Sequence, residues 1–189
     1  MPYNAIAISG LPGAGKSALL EKLAEKTGWV SHSIGKRFRE KLRYLQEIGE
    51  VSKDLTIKEY WITVPDEEQI KANRELLELV NKGKIVADTI YAAYLNQATS
   101  NPLFVFLTAE AAIRAHRGQL SENKDYNGKT MKEIKIILEG RENDEYKLGM
   151  RLFGFDYRNT NYCNLVLDAG KMSIDEEVSA VMKKMRNAD

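Results

Sequence analysis

One stretch, Gly10-Leu11-Pro12-Gly13-Ala14-Gly15-Lys16-Ser17, constrains this chain more than any other. It matches G-x-x-x-x-G-K-[ST] in full and lies in the context that motif requires. Before it stands a short apolar run, Tyr3 to Ile8, which reads as a strand buried on both faces of a parallel sheet. After it, Leu19, Leu20, Leu23 and Ala24 recur at helical spacing from Lys16 to Lys26, with Gly28 as a C-terminal stop. Glycines at 10, 13 and 15 let successive N–H groups turn inward, and the start of the helix adds its positive dipole end. The result is a cradle for phosphate oxygens. In it Lys16 neutralises the β and γ phosphates of a nucleoside triphosphate, and the Ser17 hydroxyl ligates the magnesium ion that bridges them. Binding does not by itself fix a reaction, since such loops serve kinases, GTPases and motor ATPases alike.

The rest of the chain alternates strand and helix signals. Ile34 to Gly49 carries Phe38, Leu42, Leu45 and Ile48 on one stripe with a basic opposite face, an amphipathic helix. A loop-rich interval around Thr63-Val64-Pro65 precedes a helix opened by Asp66-Glu67-Glu68, running to Asn81 and stopped by Gly83. Lys84 to Asp88, Leu103 to Leu107 and Leu165 to Asp168 read as strands. A helix starts at Ala109, residues 118–128 are loop-like, and Thr130 and Ser173 each open a helix through a capping box with Glu133 and Glu176. The expected fold is α/β: one domain over residues 1–189, a parallel sheet with helices on both faces, and ligands at the carboxyl ends of the strands.

Composition narrows the partners. Lys plus Arg number 28 against 27 Asp plus Glu, a net charge of +1, so no general pull toward nucleic acid or an anionic membrane is expected. Cys163 is the single cysteine, which rules out an internal disulfide and a multi-thiolate zinc site and fits a reducing cytoplasm. His32 and His116 stand in no metal spacing and read as structural or surface residues. A monomer or weak dimer is expected.

From the phosphate loop outward, the order of features resembles the P-loop nucleoside monophosphate kinases, and most closely the archaeal-type cytidylate kinases. Four segments carry the likeness: Ile8 to Ser17, Ser33-Ile34-Gly35-Lys36-Arg37-Phe38-Arg39, Lys84-Ile85-Val86-Ala87-Asp88, and Gly154-Phe155-Asp156 with Leu165-Val166-Leu167-Asp168. The resemblance implies a P-loop fold with an acceptor-binding insertion at 34–82 and a lid at 114–151, and phosphoryl transfer from ATP with Mg2+ to a nucleoside monophosphate such as CMP. It implies that Gly10, Leu11, Pro12, Gly13, Ala14, Gly15, Lys16 and Ser17 hold the donor and that Lys171 borders its adenine. Ser33, Gly35, Arg39 and Asp88 then face the acceptor, Ser17 and Asp88 flank the metal, and Arg114, Arg117 and Arg141 close over the phosphates beside the catalytic Lys16. Read from the residues alone, Arg37, Arg39 and Arg43 are equally a solvated helix face, Asp88 a helix cap, and each lid arginine a surface ion pair.

The chain also departs from the family. Asp88-Thr89-Ile90 stands where Glu-Gly-Arg is usual, so an acceptor-contacting arginine is replaced by isoleucine. Lys147-Leu148 replaces a lid arginine pair, with Arg151 a turn further on, and Gln69 and Asn73 occupy positions expected to be acidic. All of these bear on the acceptor, leaving open a different small acceptor such as AMP, UMP or another metabolite, and a nucleotide-binding switch with little turnover.

Overall fold

Residues 2–121 and 124–187 are described by a computed structural model. Its centre is β1 (Ala5–Gly10), buried along its whole length. The apolar residues of β1 alternate between two cores: Ala5 and Ala7 face one side of the sheet, Ile6 and Ile8 the other. Such two-sided burial requires layers on both faces, and helices supply them. β3 (Ile85–Asp88) and β4 (Pro102–Thr108) flank β1, β2 (Val30–Ser33) and β5 (Leu165–Asp168) form the edges, and all pairings are parallel, in the order β2-β3-β1-β4-β5.

One face is covered by α1 (Lys16–Thr27) and α7 (Ile174–Arg186), which bury Leu19, Leu20, Leu23, Val181 and Met185 against Ile6, Ile8 and Val105. The other is covered by α2 (Ile34–Glu47), α3 (Ile57–Thr63) and α4 (Asp66–Lys82), through Phe38, Leu42, Tyr60, Ala72, Leu76 and Val80. α5 (Ala111–Gln119) and α6 (Met131–Phe153) pack on each other around Ala115, Tyr126, Ile134 and Leu138. From this pair, Arg114 and Arg117 of α5 reach the loop between β1 and α1. Both expected capping boxes are present, at Thr130 and Ser173; losing such a cap costs about 1 kcal/mol.

The fold differs from the sequence reading most clearly at three elements. The strand read at Tyr3 to Ile8 lies two residues later, because pairing with β4 carries it through Ser9↔Phe106 and Gly10↔Leu107. Val30-Ser31-His32-Ser33 has no strand-like pattern, yet it pairs with β3 from Val30↔Ile85 to Ser33↔Asp88, so tertiary pairing overrides weak propensity. The interval before Thr63 holds α3, announced by a third capping box, Thr56 with Glu59. The segment read as a lid includes residues 122 and 123, outside the described residues. No helix among the described residues is long and apolar enough to cross a membrane.

Candidate active site

The parallel registers bring Gly10, Ser33 and Asp88 to one edge of the sheet. From there the chain turns through Gly10, Gly13 and Gly15 with φ of 149°, 78° and 108°, values that L side chains rarely adopt. At Gly10 the constraint is also spatial, since a Cβ would lie 2.3 Å from the Leu107 carbonyl oxygen. α1 then starts with no side-chain cap and no acidic residue in its first turn, unlike α3, α6 and α7, whose N-termini are closed by capping boxes. Its first N–H groups are therefore left for an outside anion. Ser17 is exposed in that turn. The Lys16 ammonium donates to the Gly10 carbonyl at 2.8 Å and the Leu11 carbonyl at 3.2 Å. Burial pushes its pKa below the ordinary lysine value, while Asp88 and Glu145 work to keep it charged.

Two of the expected lid arginines are built into this loop. Arg114, 4% exposed, donates Nε to the Ala109 carbonyl at 3.0 Å and Nη1 both to the Pro12 carbonyl at 3.0 Å and to Glu142 Oε1 at 2.6 Å. Arg117 donates Nη1 to the Ala14 carbonyl at 2.7 Å and Nη2 to the Ala169 carbonyl at 2.6 Å, tying the loop to the segment after β5. Guanidinium groups suit this use, since one planar fork satisfies several otherwise orphaned carbonyls. Arg141 differs. Its Nε donates to Glu145 Oε1 at 2.8 Å and its side chain is 38% exposed. Burial opposes its charge, yet Glu145 and Tyr126 together hold it above the ordinary arginine range. Lys171 is well exposed and pairs with Asp168 at 2.9 Å.

On the opposite side, Ser33 caps α2 by accepting from the Lys36 N–H and donates its own hydroxyl to Asp88 Oδ2 at 2.9 Å. Asp88 is thereby buried and fixed at the end of β3. Arg37 and Lys41 brace α2 to α4 through Glu75 and Glu68. Among the described residues, no hydrogen bond or ion pair engages Arg39. Its guanidinium folds over the first turn of α2, where a Cβ on Gly35 would meet Nη1 at 3.2 Å. Burial and the Arg141 charge lower its pKa, and Asp88 opposes them, so these three groups share one electrostatic neighbourhood. Gln69 and Asn73 are almost fully buried: Asn73 Nδ2 donates to the Gln69 carbonyl at 2.9 Å, and Thr89 Oγ1 donates to Asn73 Oδ1 at 3.3 Å. Glu145 was not singled out from the sequence. Its signal was the four-residue spacing from Arg141 along one helix.

A glycine cradle with a lysine, at the carboxyl edge of a parallel sheet covered on both faces, defines a P-loop nucleotide-binding domain. Residues 6–146 match the model of the AAA domain family. Two similar curated proteins are cytidylate kinases. That of Ignicoccus hospitalis is 30% identical over 180 residues, 95% of this chain and 97% of the relative. That of Methanopyrus kandleri is 27% identical over 186 residues, 92% of this chain and 89% of the relative. Among solved structures, shikimate kinase from Bacteroides thetaiotaomicron overlays with a TM-score of 0.59 at 14% identity, covering 97% of this chain and 98% of that one. The chain belongs to the AAA domain family by its match over residues 6–146, and to the P-loop nucleoside monophosphate kinases represented by these archaeal relatives. It is a P-loop kinase.

Proposed function

We propose that the protein transfers the γ-phosphoryl group of ATP, with Mg2+, to a nucleoside monophosphate in the cytoplasm, with CMP or dCMP as the first candidates. The observation that carries this reading is Arg39. Among the described residues its guanidinium has no ion-pair partner, whereas Arg37 and Lys41 of the same helix are taken by carboxylates. A planar fork with no internal partner suits a phosphate held by two parallel N–H bonds. The archaeal relatives, which are cytidylate kinases, support the acceptor class.

In this reading residues 34–82 are the acceptor-binding part of one domain, and residues 114–151 are its lid. The loop from Gly10 to Gly15, Lys16 and Ser17 fits a nucleoside triphosphate because its N–H groups and the uncapped start of α1 lack an internal anion. Bound MgATP supplies the transferable group and the divalent charge. Lys16, now on the Gly10 and Leu11 carbonyls, would hold phosphate oxygens, and Ser17 and Asp88 are the residues that would hold the cation. Arg39 orients the acceptor, and Arg141 meets charge that develops on the moving group. Arg114 and Arg117 act one step back, by fixing the loop backbone. Lys171 borders the adenine from the segment after β5.

A second reading keeps the kinase and changes the acceptor to AMP, UMP or a hydroxylated metabolite. Ile90 favours it, since it leaves the acceptor side one guanidinium short. A coupled assay of ADP release across CMP, dCMP, UMP, AMP and hydroxylated acceptors separates the two. Stimulation by CMP or dCMP is the expected result, and stimulation confined to AMP, UMP or a hydroxylated acceptor would overturn the first reading in favour of the second.

A further inference from the structure

Three arginines approach the phosphate loop from α5 and α6, and two are committed. Arg114 and Arg117 give their guanidinium groups to the carbonyls of Ala109, Pro12, Ala14 and Ala169 and to Glu142. Arg141 meets Glu145 through Nε and shares a side-chain hydrogen bond with Tyr126, so its guanidinium is held from two sides and neither partner is a loop carbonyl. The partner is an unusual carboxylate. Glu145 is 8% exposed, and its Oε2 is buried with no hydrogen-bond partner among the described residues. The wall around it is aromatic: the Tyr91 hydroxyl donates to the Glu145 backbone carbonyl at 3.4 Å, and Tyr157, fully buried, feels the Glu145 charge.

A carboxylate with half of its accepting capacity unfilled in such a wall is costly to keep. An i,i+4 pair that served only the helix would gain a few tenths of a kcal/mol, and would do so as well on the solvent face. Glu145 instead stands where its charge acts on two cations of the site, Arg141 and Lys16. Binding the guanidinium at Nε, with Tyr126 as a second partner, fixes its plane, much as a carboxylate behind a catalytic imidazole fixes the ring.

We propose that Glu145 is a positioning residue for phosphoryl transfer: it holds Arg141 by Nε in a dry wall so that the terminal guanidinium nitrogens face the phosphates beside Lys16. This deepens the proposed function and rests on its assignment of Arg141 to the moving phosphoryl group. Glu145 touches neither nucleotide nor acceptor, so its effect passes through Arg141.

The test is a double-mutant cycle of Glu145→Ala and Arg141→Ala, reading kcat and KM for ATP with the best acceptor, and thermal midpoints as a folding control. The expected result is a kcat loss of about 100-fold for Arg141→Ala and about ten-fold for Glu145→Ala, with KM for ATP changed less than about two-fold by the latter. In the double variant Glu145→Ala adds no further loss. An equal loss from Glu145→Ala whether or not Arg141 is present would overturn the proposal, because a structural residue acts independently of that side chain. If Glu145→Ala does not fold, Glu145→Asp replaces it, keeping the charge and withdrawing its reach by one methylene; unchanged kcat in that variant also overturns it. Failure of the underlying reading is visible separately, as an Arg141→Ala enzyme with undiminished kcat. Should no acceptor be found, the same cycle is read from the slow release of ADP with water as acceptor.

Discussion

The two sides of the cleft are built on opposite plans. On the donor side the cations are engaged from within: Lys16 by two carbonyls of its own loop, Arg114 by two carbonyls and Glu142, Arg117 by one carbonyl of the loop and one of the segment after β5. On the proposed acceptor side Arg39 has no hydrogen-bond or ion-pair partner among the described residues, and the buried Asn73 and Thr89 are occupied with each other. A cradle built on backbone N–H groups and a lysine reads phosphates and takes no account of the base they carry. A side-chain-built grip is specific, and one substitution such as isoleucine at 90 can redirect it. The donor half is therefore generic and preorganised, and the acceptor half is where the protein's individuality lies.

The contrast can be broken most forcefully at Lys16. Lys16→Ala is expected to lower kcat/KM by about 1,000-fold or more while circular dichroism and the thermal midpoint remain near those of the parent. A folded variant with near-parental ADP release would remove the donor half of the argument. Arg39→Ala comes next, with an expected loss of about 100-fold in kcat/KM that falls on the acceptor term and leaves KM for ATP within about two-fold. If the ATP term moves instead, Arg39 belongs to the donor side and the division of the cleft fails. Gly35→Ala is a finer probe, because its methyl group would press on Arg39 Nη1 from 3.2 Å and the flexible side chain can yield. A rise of roughly two- to five-fold in acceptor KM with unchanged kcat is expected, and no change at all would show that Arg39 need not fold over this turn.

The smallest effect is a pH term at the edge of the acceptor side. Burial first, and the Arg37 charge second, hold the His32 imidazole below its ordinary value of 6.5. The folded protein then binds this proton less readily than the unfolded chain. Stability declines as pH falls through 6.5 and levels off below the folded value. His32→Gln should flatten that part of the profile in denaturant titrations between about pH 5 and pH 7.5. A slope that persists in the variant would assign the term to another group.

What could be read from the chain follows the same division. The cradle was legible because its requirements are local: three glycines for backbone geometry, a lysine, a hydroxyl, and apolar flanks of the right period. Three capping boxes were equally local, and the one at Thr56 went unread only because the stretch around it lacks a long apolar stripe. β2 was not legible, since Val-Ser-His-Ser becomes a strand only through its ladder with Ile85 to Asp88. Arg114 and Arg117 were recognisable as residues of the site. Their partners were not, because a guanidinium bound to carbonyls more than 100 residues away leaves no trace in side-chain pattern. Glu145 was hidden for a related reason: as an i,i+4 carboxylate it looks like any helix-surface pair until its burial is known.

The position of β1 has a consequence for synthesis. Its two neighbours in the sheet begin at Ile85 and Pro102, so the strand that organises everything else waits for about 100 further residues before both of its ladders can close. At ribosomal speeds of about 5–20 residues per second, an apolar Ala-Ile-Ala-Ile segment stays unpaired for roughly 5–20 s on each nascent chain. The same non-local closure that gathers Gly10, Asp88 and Leu107 into one edge leaves this stretch without its ladder until the middle of the chain has been made.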